Sequence, residues 1–187
     1  MKKIILTTLI ILSIFSFAKA QDSKGYIGIS LGAAFPGGDL TKLDEAKTGV
    51  NLSLINAGYR FSERVGMTFN WGATAYTLSD DVSTIAIGYL AIGPMFTFPI
   101  NDQLSVDSKP QIALTSATFN DGTIKANTNK SIGYIIGSSL NYAIADHFGF
   151  SLNFDYLGTK FNEIDGIDIG DYKPSSFNTS IGFHYRF

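Results

Sequence analysis

The chain has 187 residues, no cysteine, a formal net charge of −2 and 13% aromatic residues. That length suits one domain, and the acidic balance argues against a nucleic-acid partner. Without cysteine, an exported chain must be held by backbone ladders and packing instead of disulfides.

Residues 1–20 read as a cleaved secretory signal peptide. Lys2 and Lys3 precede an apolar run over 4–17, and Ala18-Lys19-Ala20 forms a small-residue cleavage site before Gln21. The rival is a retained membrane anchor, disfavoured because the run is short and ends on Ala-x-Ala. No cysteine follows for lipid attachment. Cleavage removes three of the 14 basic residues against 16 acids, so the mature chain is more acidic than the whole. Residues 21–187 remain as the single domain. No run there approaches the ~18 apolar residues of a transmembrane helix. Helical periodicity is weak, and what recurs is alternation at period two between polar turns.

The first predicted strand covers 25–35, with Ile27, Ile29, Leu31, Ala33 and Phe35 on one face and Gly28, Ser30, Gly32 and Ala34 on the other. A long polar loop over 36–48 follows. The second strand, 50–61, changes parity: Val50, Leu52 and Leu54 share one face, then Ile55, Ala57, Tyr59 and Phe61. A bulge near Leu54 explains the change, as does a different strand boundary. Ser62-Glu63-Arg64 is a tight turn into a third strand bearing Val65, Met67, Phe69, Trp71 and Ala73. Folding about Glu63 pairs Phe61 with Val65, Tyr59 with Met67 and Ala57 with Phe69 on the apolar face.

A loop over 77–83 leads to the fourth strand, 84–98, whose apolar residues fall on both faces. Asn101-Asp102-Gln103 turns into the fifth, where Leu104, Val106, Ile112 and Leu114 oppose Ser105, Asp107, Lys109, Gln111 and Thr115. Pro94 and Pro110 lie almost opposite across this turn, which predicts a bulge or a missing rung. After a polar loop over 117–130, the sixth strand sets Ile132, Tyr134, Ile136, Leu140 and Tyr142 against Gly133, Ile135, Gly137, Ser139 and Asn141. Ala145-Asp146-His147 turns into the seventh, with Phe148, Phe150, Leu152, Phe154 and Tyr156 against Gly149, Ser151, Asn153 and Asp155. An acidic, glycine-rich loop over 158–173 precedes the last strand.

That eighth strand, 175–187, carries Phe177, Thr179, Ile181, Phe183, Tyr185 and Phe187 on one face. Ser176, Asn178, Ser180, Gly182, His184 and Arg186 occupy the other. An exposed aromatic edge at a chain terminus invites aggregation unless it closes a barrel against the first strand. The strand resembles the C-terminal strand of bacterial outer-membrane β-barrels, whose final Phe follows an aromatic two positions earlier, here Phe187 and Tyr185. The resemblance implies that these two residues form an assembly signal read by the barrel-assembly machinery.

Connections alternate long and short, and aromatics gather at both strand ends, as membrane barrels require. Alternation alone fits equally a secreted lipocalin-like barrel turned the other way. The polar face decides between them: it is mostly Gly, Ser, Thr and Asn, with Asp107, Lys109, Asp155 and Arg186 charged. A water-facing surface normally carries many more charges, so this face points into a narrow lumen and the apolar face into lipid. The expected fold is all-β, an eight-stranded antiparallel up-and-down transmembrane barrel preceded by a cleaved signal peptide. The whole mature chain resembles the small OmpX/OmpA-type family, the outer membrane protein beta-barrel domain. An even strand count puts both termini on the short-turn, periplasmic side.

The resemblance implies a bacterial outer-membrane location, contact with outer-membrane lipid and lipopolysaccharide, and a structural or surface-interaction role with an extracellular ligand at the loops. It is expected to act as a monomer with no cofactor. A small porin-like channel is the alternative, and a lipid-modifying enzyme is a distant third. His147 lies in a turn and His184 near the periplasmic end, so neither suits a catalytic pair at the outer leaflet. No catalytic, cofactor or metal site is expected. Glu163, Asp165, Asp168 and Asp171 offer carboxylates without the EF-hand spacing and read better as a solvated loop. The residues with a distinct expected role are a lumen polar network of Asp107, Lys109, Asp155, His184 and Arg186, with Asp107–Arg186 the favoured pair.

Overall fold

Alternating small polar and large apolar side chains give each strand one face for a crowded interior and one for lipid. The computed structural model describes residues 24–42 and 45–187; the expected signal peptide at 1–20 lies outside them. In order the elements are β1 (Gly25–Gly38), α1 (Asp39–Lys42), β2 (Gly49–Arg60), β3 (Val65–Thr77), β4 (Thr84–Pro99), β5 (Leu104–Asn120) and β6 (Lys125–Asn127). Then come β7 (Ser131–Ala145), β8 (Phe148–Gly158), β9 (Phe161–Ile164), β10 (Ile167–Tyr172) and β11 (Pro174–Arg186). The wall runs β1-β2-β3-β4-β5-β7-β8-β11, every pair antiparallel, and β11 returns to β1. It is the closed eight-stranded barrel that the alternation predicts. Its seam is finished by the last residue: the Gly25 N–H donates to the Phe187 carbonyl at 2.8 Å, and the Phe187 N–H donates to Gly25 at 2.9 Å.

The register follows the sequence in detail. Tyr59 pairs with Met67 and Ala57 with Phe69, and the ladder slips by one residue between Ser53 and Ile55. Leu54 is therefore the extra residue of a bulge, which settles the parity change in β2. Pro94 and Pro110 stand opposite each other, and the β4–β5 ladder skips from Ile92–Ile112 to Phe96–Ser108 with its register unchanged. The prolines remove rungs without adding a residue, because each lacks the N–H that a rung needs.

The long connections hold more structure than expected. β5 continues to Asn120 and pairs there with β6 through Thr118–Asn127 and Asn120–Lys125. Between Gly158 and Lys173 stands the β9–β10 hairpin, turned by Asp165 and Gly166 at φ of 47° and 82°. Two successive left-handed residues are what a type I′ turn requires, and Asp-Gly supplies them. The hairpin leans on β6: Asn129 N–H donates to Glu163 at 3.1 Å and Asp165 N–H to Asn127 at 3.0 Å.

Candidate functional site

Two regions fill the lumen, and they differ in chemistry. Toward the turns, inward positions of β5, β7, β8 and β11 carry the polar groups singled out from the sequence. Asp107 is 3% exposed and Lys109 5%. Asp107 accepts hydrogen bonds from Thr97 Oγ1 at 2.7 Å and Asn141 Nδ2 at 2.9 Å. These donors, not Arg186, hold its carboxylate. Lys109 sits one inward position further along β5, among Tyr26, Asp155 and Asp107. Asp155 lies over Gly137, where an added Cβ would strike its carboxylate. His184 packs in the same way over Gly149 and faces Tyr26 at 5.4 Å between ring centroids. A cavity of about 10 Å³, near the smallest that holds one water, lies among Lys109, Tyr26, Asn153 and His184.

Below His184 the lumen opens at the turn end into a vestibule of about 520 Å³. Its rim carries Lys24, Arg60 and Arg186 facing Asp102 and Asp146, and Asp107 lies at its inner end. Arg186 interacts there with Arg60 and Asp146. The structure thus gathers Asp107, Lys109, Asp155 and His184 at neighbouring levels and leaves Arg186 at the mouth. His147 belongs to the turn, stacked on Tyr185 at 5.5 Å.

The loop half of the lumen is a packed apolar plug. Ile85, Ile87, Tyr89 and Ala91 of β4 face inward, together with Tyr76, Ala113, Ile135 and Leu157. Double-sided apolarity in 84–98 was the signal for it: β4 meets lipid with Leu90, Ile92 and Phe96 and meets the plug with its other face. Tyr76 donates to Ser176 Oγ at 2.5 Å and Tyr89 to Asn51 Oδ1 at 3.2 Å, so both phenols are satisfied. Loop elements complete the closure. Leu40 of α1 and Phe161 of β9 are 0% exposed, and Tyr172 of β10 packs beside Phe119 at 5.9 Å.

The loop acids point to separate tasks. Asp171 holds Lys160 at 2.6 Å and Lys173 at 3.1 Å, and those contacts keep its carboxyl below the usual aspartate range. Asp165 accepts from the Asn127 N–H at 3.2 Å, and Asp168 from the Gly170 N–H at 2.8 Å. Among the described residues these carboxylates do not converge on one point.

The outside of the barrel decides its setting. Ile29, Ile112, Ile132 and Ile181 are between 60% and 76% exposed, an apolar belt no water-facing wall would carry. Residues 4–187 match the family described as Outer membrane protein beta-barrel domain. The chain belongs to this family.

Solved structures agree with the assignment. Neisserial surface protein A superposes with a TM-score of 0.66 at 16% identity, covering 87% of this chain and 97% of that one. Ail, the attachment invasion locus protein of Yersinia pestis, gives 0.53 at 20% identity over 88% and 99%. AlkL, determined in DMPC lipid bilayers, gives 0.53 at 10% identity over 92% and 94%. At such identities the likeness is one of fold. Curated protein sequences give no match. As a member of the outer membrane protein beta-barrel family, the chain is a bacterial outer-membrane protein, and lipid covers its apolar belt. Phe35 and Phe177, 6.4 Å apart, and Tyr134 and Tyr156, 6.2 Å apart, mark the loop-side girdle of this barrel. Tyr59, Phe61, Phe148, Tyr185 and Phe187 mark the turn-side one.

Proposed function

We propose that this outer-membrane barrel is a closed, monomeric scaffold whose extracellular loops bind a partner. The carrying observation is the β9–β10 hairpin, a two-stranded sheet of its own that leans on β6 above a plugged lumen. β10 pairs only with β9 among the described strands, so its outer edge offers backbone groups for another strand. Ile167 and Ile169 on it are 69% and 38% exposed, beside Asp168. Such an edge suits an extended protein segment with apolar and basic side chains. The Ail barrel has been solved with the heparin analogue sucrose octasulfate. A polyanion suits the present loops poorly: their acidic residues outnumber their basic ones, and Lys47 is tied to Asp81 and Lys160 and Lys173 to Asp171.

Side chains as large as Tyr76, Tyr89 and Phe161 across the upper lumen favour the scaffold over a channel. Enzyme chemistry finds no support, since His147 and His184 stand at the turn end and the loop face carries neither. The seam made by Phe187 supports the reading of Tyr185 and Phe187 as the assembly signal for the barrel-assembly machinery. Closure leaves the wall no free edge, which favours the monomer, and lipopolysaccharide would contact the loop-side girdle.

The test uses the folded barrel in nanodiscs, an alternating lysine–valine peptide and heparin. The peptide should bind and heparin should not, and Ile167→Asp with Ile169→Asp should lower peptide binding at least tenfold. Heparin binding, or peptide binding insensitive to both changes, would overturn the reading. In planar bilayers the wild type should show no steady conductance; a steady current would promote the channel.

A further inference from the structure

The vestibule at the turn end has its charges sorted by wall, and the strand order explains why. Around the ring β11, β1 and β2 are consecutive, and β5 stands four strands from β1 in either direction, across the lumen. The arc around β1 carries the bases. Arg186 pairs with Tyr26 at the seam, Lys24 precedes β1, and Arg60 N–H donates to the Lys24 carbonyl at 2.7 Å. Arg60 and Arg186 stand close enough to repel, and Asp146 beside Arg186 offsets one of the three positive charges. The arc around β5 carries Asp102, in the turn before the strand, and Asp107 on the strand itself. Behind Asp107, Lys109 is shared with Asp155, so two carboxyl groups there meet one ammonium. One wall of the cavity is cationic and the facing wall anionic.

A plain anion would suit only the first wall and a plain cation only the second. A molecule with opposite charges at its two ends suits both. The volume of about 520 Å³ lies within the range of small-molecule sites. At about 30 Å³ per water it holds roughly 17 waters, of which a peptide of two or three residues would displace on the order of half. A single amino acid would displace few. Between the charged walls, Asn101, Gln103 and Asn141 offer amides for peptide groups, and Met95 and Leu104 offer apolar surface. The plug of Tyr76, Ile87 and Tyr89 shuts the lumen above, so entry is from the turn end, which faces the periplasm in barrels of this kind. We propose that the vestibule is a blind pocket for a short zwitterionic peptide, its carboxylate on Arg60 and Arg186 and its ammonium on Asp102. A terminus of a longer chain would bring only one of those charges. This site is independent of any loop partner.

Titration calorimetry on the folded barrel in nanodiscs tests it with four probes: dialanine, N-acetyl-dialanine, dialanine amide and alanine. Dialanine should bind. Blocking either end, or shortening to alanine, should weaken binding at least tenfold. This comparison is made on the wild type and needs no variant. Failure of dialanine to bind, or equal binding of all four probes, would overturn the proposal. Acetylated dialanine that binds as tightly as dialanine would mark a plain anion site and refute the zwitterion. Two variants then assign the ends. Asp102→Asn should bring dialanine down to the level of its acetylated form. Arg60→Gln with Arg186→Gln should bring it down to the level of its amide. Undiminished dialanine binding in either variant would place the peptide elsewhere and sink the assignment.

Discussion

Truncating Asp107 to Ala tests the lumen network most directly. The carboxylate accepts two hydrogen bonds, from Thr97 at 2.7 Å and Asn141 at 2.9 Å. A hydrogen bond to a charged group contributes about 1.5–3 kcal/mol net. Thr97, Asp107 and Asn141 all line the vestibule, which is open to solvent at the turn end, so the lower figure applies to each bond. Asp107→Ala should then cost about 3 kcal/mol, and Asp107→Asn, which keeps the shape and one acceptor, about half that. Urea unfolding in lipid vesicles, followed by Trp71 fluorescence, measures both. A double-mutant cycle locates the interaction. Asp107 with Asn141 should couple by about 1 kcal/mol, and Asp107 with Arg186 by close to zero, because Arg186 sits with Arg60 and Asp146. An Asp107→Ala cost within about 0.5 kcal/mol of zero, the usual range for surface changes, would show that water already holds the carboxylate. Stronger coupling to Arg186 than to Asn141 would refute the partner assignment.

Further outcomes follow from the same geometry. Single cysteines at Asp121 or Asp168 should react with an impermeant thiol reagent on whole cells while those at Glu63 or Asp146 stay protected; the reverse pattern would invert the orientation. Deleting Phe187 removes both seam bonds to Gly25 and should reduce the folded, heat-modifiable barrel in the membrane without blocking export, and normal assembly would make the terminal aromatic incidental. Because Lys160 and Lys173 lower the Asp171 pKa, their support of the hairpin is fully present above the free aspartate value of about 3.9 and is lost as pH falls through the lower folded value. Carboxyl NMR should show Asp171 titrating below that value, and Lys160→Gln with Lys173→Gln should return it; an ordinary titration in wild type would refute the pairing.

Much of the site was legible because a strand reveals its faces one residue at a time. Asp107, Lys109, Asp155 and His184 all read as inward, and all four line the interior. Their partners were not legible, since depth in a barrel depends on strand tilt and stagger as well as on position from the turn. Asn141, on the neighbouring β7, reaches Asp107 while Arg186 remains at the mouth. The β9–β10 hairpin was hidden in a stretch that reads as acidic loop. Asp165-Gly166 between Ile164 and Ile167 was its signal, an Asp-Gly turn flanked by apolar residues.

By itself the sequence determined the eight wall strands, their alternating faces and the closure at Phe187, and it narrowed β2 to a bulge near Leu54 or a shifted boundary and the facing Pro94 and Pro110 to a bulge or a missing rung. Each of these depends on residue order over a few positions: period-two alternation, one extra residue, a missing N–H, an aromatic terminus. Only the tertiary structure decided how the lumen is divided. The inward apolar residues of β4 make a plug only where they meet Ile135, Leu157, Leu40 and Phe161, which come from strands and loops distant in the chain. Such contacts are properties of the assembled wall, where tilt and curvature determine which side chains share a level, and no periodicity along a single strand encodes them.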